Sequence, residues 1–210
     1  MPVYAFILMF AAAYLVGAIP FGLFIGFYNG VDIRVAGSGN IGATNVTRCC
    51  GNLAGKLCFA CDLLKGFLPT FAALALFGEY PWAVLVSAAC AVAGHVFPCY
   101  LKFKGGKGVS TAAGALLAIV PAAVVFALAI WAAVFLATRY VSVASIAASA
   151  VLIAAVWAGR IFDFAFCGET AKSLAVVLFV TATGIFAIAR HKSNIIRLMQ
   201  GTENRFERKK

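Results

Sequence analysis

GHVFPCYLKFKGGKG, residues 94–108, lies between two long apolar runs, and this position predicts the point where a membrane helix emerges into water. The stretch carries one histidine, three lysines and a pair of adjacent glycines, and it contains no acidic residue. Glycine lets the backbone approach a ligand closely, and exposed N–H groups beside lysine ammoniums form a site for phosphate oxygens. We therefore expect a phosphorylated ligand to be bound here, at the surface of a bilayer.

The composition of the whole chain indicates an integral membrane protein. Of the 210 residues, 64% are hydrophobic and 11% are charged, and the mean hydropathy is +1.00. A soluble domain is about a quarter charged and about half apolar, so a single helical membrane domain covering residues 1–210 is expected. The first apolar run is too long for a removable signal sequence, and it has no basic flank before it.

The net charge of +10 does not indicate a nucleic-acid-binding protein. Such a protein carries its basic stripe on a soluble module, and none is recognisable in this sequence. Cytoplasmic loops that follow the positive-inside rule explain the charge more simply. Anionic substrates and lipid headgroups are compatible with the same charge, so we predict membrane partners and no nucleic-acid partner.

The apolar runs predict the membrane spans. They cover residues 3–27, 53–77, 82–100, 109–138, 140–158 and 173–189. Because proline breaks helical hydrogen bonding, Pro121 is expected to divide one run into two short helices, which gives an all-α protein with seven transmembrane helices. With seven helices, the three polar segments described below lie on one side of the membrane. Every Lys and Arg except Arg160 and Lys172 lies on that same side. The positive-inside rule sets the N-terminus outside and the C-terminus in the cytoplasm.

The seven cysteines do not predict a metal site. Cys58 and Cys61 form a CxxC pair, but the pair lies inside an apolar run and no second pair follows it. A zinc site requires further ligands at suitable spacing. We expect the cysteines to act as small, fairly apolar packing residues.

The first polar segment is residues 37–48, GSGNIGATNVTR. Its small residues leave backbone amides accessible, its short polar side chains can orient a ligand, and its arginine can bind phosphate with two parallel hydrogen bonds. A solvated turn with helix caps is the alternative, but that predicts two or three Gly, Ser or Asn residues rather than an uncharged run of nine residues that leads to an arginine. The candidate residues are Gly37, Ser38, Gly39, Asn40, Thr44, Asn45 and Arg48.

The second polar segment is the opening stretch, residues 94–108. It is not a Walker A loop, because Gly108 rather than Ser or Thr follows Lys107, so nucleotide hydrolysis is not predicted. Lysines at a membrane edge also serve as topology anchors, but anchoring needs no glycine pair. His95 is either a base or a satisfied buried histidine, and Tyr100 stands where the HxxxxD motif of soluble acyltransferases has its acid. The candidates are His95, Lys104, Gly105, Gly106 and Lys107.

The third polar segment is residues 190–203, RHKSNIIRLMQGTE. If it is helical, His191, Asn194 and Arg197 lie close to one face because they are three residues apart. A basic amphipathic tail that only binds anionic lipid is the alternative. The aligned histidine, amide and arginine favour a site, whereas Glu203 has two possible roles, capping the tail helix or contacting substrate.

These three segments closely resemble the bacterial membrane-bound acyl-phosphate:glycerol-3-phosphate acyltransferases, the PlsY family. The matching sequences are GSGNIGATN with Arg48, GHVFPCYLKFKGGKGV, and RHKSNIIRLMQGTE, and the resemblance runs from about Phe21 to Glu203. It implies a seven-helix fold with the three segments facing the cytoplasm. It also implies transfer of a fatty acyl group from acyl phosphate to the 1-hydroxyl of glycerol 3-phosphate, which yields 1-acylglycerol 3-phosphate and phosphate. No cofactor is expected, and neither acyl-CoA nor acyl carrier protein is the donor.

The residue types suit that reaction, because two phosphorylated reactants must be brought together. Arg48, Lys107 and Arg197 are expected to neutralise the phosphates, with Lys104 assisting, while Ser38, Asn40, Thr44, Asn45 and Asn194 orient the glycerol. Ser38, Arg48, Lys107, His191 and Asn194 are the predicted catalytic residues. The resemblance suggests that a substrate phosphate takes the hydroxyl proton, and His191 is the best candidate if a side chain does so.

The remaining expectations concern the setting of the reaction. The resemblance places the protein in the bacterial cytoplasmic membrane, where an enzyme that forms acyl phosphate would supply the donor. The sequence predicts neither the oligomeric state nor the acyl-chain preference. An organic-phosphate transporter is the alternative function, although transporters place their site near the bilayer midplane and these polar residues lie at one edge.

Overall fold

The computed structural model describes residues 2–163 and 169–207, and every regular element in these ranges is helical. The helices of the described residues are α1 (Val3–Ala18), α2 (Phe21–Tyr28), α3 (Ala43–Cys50), α4 (Asn52–Phe77), α5 (Pro81–Val96), α6 (Val109–Ile119), α7 (Pro121–Thr138), α8 (Val141–Ile161), α9 (Leu174–Ala189) and α10 (Lys192–Met199). Short 3-10 turns occur at Cys99–Leu101 and Glu169–Lys172. The all-helical prediction is confirmed.

Several of these helices are long and apolar enough to cross a membrane. Within the described ranges there are five such stretches: Val3–Tyr28, Asn52–Phe77, Pro81–Leu101, Pro121–Thr138 and Val141–Ile161. A sixth is present if α9 and α10, which meet at a bend of 49°, form one span. Helix α6 is apolar but has only 11 residues. The protein is therefore an integral, multi-pass membrane protein.

The chain divides into two compact units, Met1–Ile119 and Val120–Lys210. In the first unit, α1 packs against α5, and α4 packs against α3, α5 and α6. In the second unit, α8 packs against both α7 and α9. The expectation of a single domain stays a prediction.

Helices of the first unit approach one another closely at glycines. Gly17 of α1 faces the backbone of Ala91 in α5, and Gly114 of α6 faces the backbone of Leu63 in α4. A methyl group at either glycine would collide with the facing main chain. Small residues permit this approach, which matters in lipid because van der Waals packing drives helix association there.

Half-buried indole groups join the helices of the second unit. Trp131 Nε1 of α7 donates a hydrogen bond of 3.1 Å to Ser145 Oγ of α8. Trp157 Nε1 of α8 donates one of 3.0 Å to Thr181 Oγ1 of α9. An indole N–H buried away from water needs such a partner, so these bonds fix which faces of the three helices meet.

The predicted division of the 109–138 run at Pro121 is confirmed. Helix α6 ends at Ile119, and α7 begins with Pro121 at its first position. Proline is favoured there because its missing N–H would have no partner in the first turn. Arg139, expected to interrupt the apolar sequence, takes a left-handed conformation with φ 65° between α7 and α8.

Three features differ from the sequence predictions. The apolar run 3–27 is not one helix, because α1 ends at Ala18 and α2 starts after Pro20, whose nitrogen has no hydrogen to continue the ladder. The polar stretch 29–52 is not all loop, because α3 forms within it. The stretch 159–172, which separates the last two predicted apolar runs, overlaps α8, because α8 runs on to Ile161; residues 164–168 lie outside the described ranges.

Candidate functional site

The first segment is shaped by one buried amide, that of Asn45 in α3. Asn45 Oδ1 accepts a hydrogen bond of 2.7 Å from the Ser38 N–H. Its Nδ2 donates to the carbonyl oxygens of Ile33 and Ala36, at 2.9 and 3.1 Å. The side chain is only 1% exposed. Asn45, predicted to bind substrate, therefore holds the loop that carries Ser38, and its binding role stays a prediction.

Glycines allow the turn that Asn45 holds. Gly37 and Gly39 have φ angles of 60° and 68°, in the left-handed region that favours glycine. A methyl group at Gly37 would collide with Asn45 Oδ1. Asn40 Oδ1 accepts a bond of 2.9 Å from the Gly42 N–H just before α3. The turn leaves Ser38 exposed.

Helix α3 adds a cation to the first segment. Thr44 lies in the first turn and Arg48 in the last turn of α3, and their spacing of four residues places them on one helix face. Both side chains are partly buried. The helix thus presents a hydroxyl and a guanidinium on the same side.

An apolar cluster in the first unit brings the first and second segments together. Its buried members are Leu23, Ile33, Ile41, Val46, Ala54 and Cys58. Ile41 and Val46 belong to the first segment, Ile33 lies in the loop just before it, and Leu101 of the second segment packs against the cluster. The two segments predicted to bind phosphate are therefore neighbours.

The second segment folds back onto the end of α5. The Gly105 N–H donates to the Val96 carbonyl at 3.1 Å, and the Gly106 N–H donates to the His95 carbonyl at 3.2 Å. Lys102 and Phe103 form the reversal with φ angles of 51° and 61°. The reversal leaves Lys104 exposed and Lys107 partly buried beside the glycine pair, so basic side chains flank the backbone of Gly105 and Gly106.

His95 is buried beneath this loop, with 2% of its surface exposed. A methyl group at Gly106 would collide with His95 Nε2, so the ring edge lies directly against the glycine. On its other side, Nδ1 lies 3.7 Å from Asp62 Oδ1. The sequence left open whether His95 is a base or a satisfied buried histidine. Its predicted substrate contact stays a prediction.

Two charged residues near His95 were not predicted as part of the site. Asp62 and Lys65 of α4 form an ion pair of 2.7 Å between Oδ1 and Nζ, and both side chains are almost fully buried. The sequence did contain a signal for them, namely two opposite charges three residues apart inside an apolar span. Burying charged side chains in a bilayer costs free energy, so those that occur there are usually functional.

The third segment lies in the second unit and is organised around Glu203. Asn194 Nδ2 donates to Glu203 Oε1 at 2.7 Å, and Arg197 Nε donates to Oε2 at 2.8 Å. Ser142 Oγ of α8 donates to Oε1 at 2.9 Å. Of the three residues predicted to share a helix face, Asn194 and Arg197 lie in α10 and both contact Glu203, whereas His191 precedes the helix. The contact from Ser142 was not predicted.

The hydrogen bonds at Glu203 also set its ionisation. Burial by itself would raise the pKa of the Glu203 carboxyl, but the bonds from Asn194, Arg197 and Ser142 outweigh burial and hold the pKa below its ordinary value of 4.5. The group is therefore a carboxylate at neutral pH, and it fixes the Arg197 side chain through a charge-assisted bond.

His191 precedes α10 and is buried, with 3% of its surface exposed. Its Nδ1 lies 2.8 Å from the Ala187 carbonyl oxygen. Because a carbonyl oxygen only accepts, Nδ1 carries the hydrogen, and in the neutral ring Nε2 is then the acceptor nitrogen. This is the form that can take a proton from a hydroxyl group.

The arrangement suits anionic ligands. Among the described residues, no group of three or more His, Cys, Asp or Glu side chains could hold a metal ion. The glycine-rich loops and their neighbouring Arg48, Lys104 and Lys107 instead offer main-chain N–H groups and cations, which bind phosphate oxygens.

Comparisons with known proteins agree with this chemistry. A family model described as glycerol-3-phosphate acyltransferase matches residues 7–201. The glycerol-3-phosphate acyltransferase of Aquifex aeolicus (strain VF5) is 42% identical over 194 residues, which cover 92% of this chain and 95% of the relative. Crystal structures of PlsY (YgiH), an integral membrane glycerol 3-phosphate acyltransferase, match at 39% identity over 97% of this chain and 96% of theirs. The TM-score is 0.86 for the glycerol 3-phosphate form and 0.84 for the lysophosphatidic acid form.

Proposed function

The chain belongs to the glycerol-3-phosphate acyltransferase family, and from that premise we propose that it transfers a fatty acyl group from acyl phosphate to the 1-hydroxyl of glycerol 3-phosphate. The products are 1-acylglycerol 3-phosphate, that is lysophosphatidic acid, and inorganic phosphate. The two forms of the similar PlsY structure, with glycerol 3-phosphate and with lysophosphatidic acid, support this substrate and this product. The reaction is the first step of phospholipid synthesis.

One observation carries the proposal: Leu101 of the second segment packs against the apolar cluster beneath the first segment. Two glycine-rich, cation-bearing loops therefore lie side by side in one unit. A single phosphate would need one such loop, whereas a reaction between two phosphorylated substrates needs two. Their proximity makes the reaction between bound substrates effectively unimolecular.

The reaction needs little covalent chemistry from the protein. The glycerol hydroxyl oxygen attacks the acyl carbonyl carbon and forms the new ester C–O bond. The C–O bond to phosphate then breaks, and phosphate leaves with the electron pair. Acyl phosphate is a mixed anhydride with a good leaving group, so positioning and charge stabilisation supply most of the rate.

Cations in all three segments neutralise the phosphates in this proposal. Arg48, Lys107 and Arg197 bind phosphate oxygens, with Lys104 assisting. Glu203 holds Arg197 and Asn194 in position through its two oxygens. Because two anions repel one another, these cations are what allows the substrates to occupy neighbouring positions.

Small polar groups orient the reacting atoms. Ser38, Asn40, Thr44 and Asn194 orient the glycerol. Main-chain N–H groups of the two glycine loops stabilise the negative oxygen that develops on the carbonyl, although those of Gly39, Gly105 and Gly106 already donate to carbonyl groups of the protein. Asn45 and His95 act from beneath the loops that they hold. Water is excluded as the acyl chain enters between helices from the lipid.

His191 is the side chain that we assign to proton transfer. The bond from Nδ1 to the Ala187 carbonyl leaves Nε2 as the acceptor nitrogen. In this step Nε2 takes the proton of the attacking hydroxyl. A substrate phosphate oxygen is the alternative proton acceptor.

The membrane setting completes the proposal. Counting α1 with α2 as one span and including the short α6 and α9, the chain crosses the bacterial cytoplasmic membrane seven times, with the N-terminus outside and the C-terminus inside. This topology gathers the three segments on the cytoplasmic side, where glycerol 3-phosphate is found, and satisfies the positive-inside rule. An acyl-phosphate-forming enzyme supplies the donor.

Purified protein supplied with acyl phosphate and glycerol 3-phosphate tests the function. We expect phosphate and lysophosphatidic acid to form in equal amounts, and acyl-CoA or acyl carrier protein to give no product. Release of phosphate without lysophosphatidic acid would contradict the proposal. Uptake of glycerol 3-phosphate into vesicles without chemistry would indicate the organic-phosphate transporter, which none of the relatives supports.

A further inference from the structure

A buried charged cluster, defined as Asp62, Lys65 and His95, lies between α4 and α5 of the first unit. The three residues are 1%, 3% and 2% exposed, and the helices that carry them are long enough to span a membrane. Charges are costly in such a place and persist where they have a function. The reaction proposed above uses neither Asp62 nor Lys65.

The Lys65 ammonium is bound at the break between α1 and α2. Its Nζ lies 2.7 Å from Asp62 Oδ1 and donates a bond of 2.7 Å to the Ile19 carbonyl. It also lies 5.7 Å from the centre of the Phe21 ring, a cation–π distance. Lys65 therefore binds main chain and side chain on both sides of Pro20, where the helical ladder is interrupted.

The break determines where α2 lies, and α2 supports the first segment. Gly22 of α2 packs against the Ile41 carbonyl, and a methyl group there would collide with it. Leu23 of α2 belongs to the same apolar cluster as Ile33 and Ile41. By fixing the α1–α2 break, Lys65 therefore fixes the α2 residues against which the first segment packs.

His95 connects the other end of the charged cluster to the second segment. Its Nδ1 lies 3.7 Å from Asp62 Oδ1, which is an electrostatic contact longer than a hydrogen bond. Its Nε2 edge lies against Gly106, and its carbonyl accepts the Gly106 N–H at 3.2 Å. The ring is thus confined between a carboxylate and the backbone of the glycine pair.

We propose that Asp62 and Lys65 are positioning residues that hold the first and second segments in a fixed position relative to each other. Lys65 acts on the first segment through the Pro20 break, and Asp62 acts on the second segment through His95 and Gly106. The kinetic consequence of this inference rests on the proposed function, whereas its structural consequence does not. A buried ion pair that only stabilises the helix bundle is the competing explanation.

The two explanations predict different results for the double variant Asp62→Leu/Lys65→Met. Replacing both members of a buried ion pair by apolar residues of similar size is often neutral or stabilising, whereas removing one leaves an unpaired charge. A merely stabilising pair is therefore replaceable. A positioning pair is not, because His95 loses its carboxylate and Ile19 loses its donor.

The matched control is Ser87→Ala. Ser87 is fully buried in α5 and donates a bond of 3.2 Å to the Pro69 carbonyl of α4. The substitution removes a buried polar contact between the same two helices without touching the charged cluster. It measures the effect of general destabilisation.

The readouts are the thermal unfolding midpoint, hydrogen–deuterium exchange of peptides covering residues 29–42 and 97–108, and KM and kcat for each substrate. For the double variant we expect a midpoint close to that of the wild type and exchange in residues 29–42 and 97–108 faster by about tenfold. We also expect KM for at least one phosphorylated substrate to rise by about tenfold, with kcat less affected. Ser87→Ala should lower the midpoint and leave exchange in residues 97–108 unchanged.

Wild-type exchange and wild-type KM values in the double variant would overturn the inference. If that variant does not fold, Asp62→Asn and Lys65→Met are compared singly by exchange at temperatures where each is folded. Wild-type exchange in residues 97–108 of Asp62→Asn and in residues 29–42 of Lys65→Met overturns the inference equally. A wild-type protein that forms no lysophosphatidic acid would refute the proposed function alone. The exchange results would still decide the positioning inference.

Discussion

At the scale of single residues, buried polar side chains shape the segments that we propose bind substrate. Asn45 uses its oxygen and its nitrogen to hold three main-chain groups of one loop. Glu203 uses both oxygens to hold the side chains of Asn194 and Arg197 in the third segment and that of Ser142 in α8. Both residues act as internal scaffolds, so their substitution should affect stability as well as activity.

Glu203→Gln should change how stability depends on pH. Because the pKa of Glu203 is below its ordinary value of 4.5, ionisation stabilises the folded protein above pH 4.5, and this contribution is lost as the pH falls through the lower folded pKa. We expect the variant to be about 1–3 kcal/mol less stable at neutral pH and to lose less further stability on acidification. Thermal unfolding measured over a pH series checks this.

The control for that experiment is Glu207→Gln. Glu207 is exposed four residues later, so the substitution makes the same change in charge without a buried network. Its unfolding midpoint should follow that of the wild type at every pH. Identical pH dependence in the wild type and Glu203→Gln would contradict the role of the Glu203 carboxylate.

His191→Gln tests proton transfer. If Nε2 of the ring takes the hydroxyl proton, we expect kcat to fall by about 10²–10⁴-fold, with KM values changed much less. Steady-state kinetics with both substrates varied would measure this. Near-normal turnover would remove His191 from this role and assign the proton to a substrate phosphate.

Arg48→Lys tests whether the guanidinium binds phosphate through two hydrogen bonds. Lysine keeps the charge but loses the planar fork, so we expect kcat/KM to fall by about 10–100-fold. The control is Arg34→Lys in the preceding loop, where the arginine is exposed and pairs with Asp32 at 2.7 Å. That variant should keep wild-type kinetics, and equal effects of the two substitutions would contradict the assignment.

The sequence predicted contacts between residues close together in the chain better than contacts between residues far apart in it. The alignment of Asn194 with Arg197 follows from helical spacing and was predictable. The contact of Ser142 with Glu203 joins residues 61 positions apart and has no local signature. The same holds for Lys65, whose bond to Ile19 depends on how α4 packs against the α1–α2 break.

At the scale of helices, proline had a predictable effect in one place and not in another. Pro121 was expected to divide its run because proline breaks helical hydrogen bonding and because the division places the polar segments on one side, and α7 does begin there. Pro20 lies in a run of the right length for a single span, so apolarity gave no reason to expect a break. Helix α3 has only 8 residues, too few for local propensity to indicate it.

Gly37→Ala should disrupt the first segment. The φ of Gly37 is 60°, and the added methyl group would meet Asn45 Oδ1, so both backbone strain and a steric collision oppose it. Backbone strain alone costs about 1–2 kcal/mol. We expect a lower unfolding midpoint and loss of most acyltransferase activity, measured on protein purified in detergent.

Gly30→Ala is the matched control. Its φ of 72° is equally unfavourable for alanine, but nothing lies within 4 Å of the added methyl group. It should lose a similar amount of stability from strain and keep its activity. Loss of activity in both variants to the same extent would attribute the effect to strain rather than to the Asn45 contact.

At the scale of the whole molecule, the distribution of charge and the order of the helices support one topology. The first and second segments share the first unit through Leu101, and the third segment belongs to the second unit. The central claim is that all three lie at the cytoplasmic face and bind two phosphorylated substrates together. The count of spans between the segments decides this, because one crossing more or fewer would move the third segment to the opposite side.

Labelling with a membrane-impermeant maleimide tests that claim most directly. Single cysteines are placed at Val35, Lys102, Ser193 and Glu79, all exposed, in a protein whose native cysteines are replaced and whose acyltransferase activity is retained. In inverted membrane vesicles we expect Val35→Cys, Lys102→Cys and Ser193→Cys to be labelled and Glu79→Cys to be protected. Labelling of Ser193→Cys only from the side that labels Glu79→Cys would contradict the account.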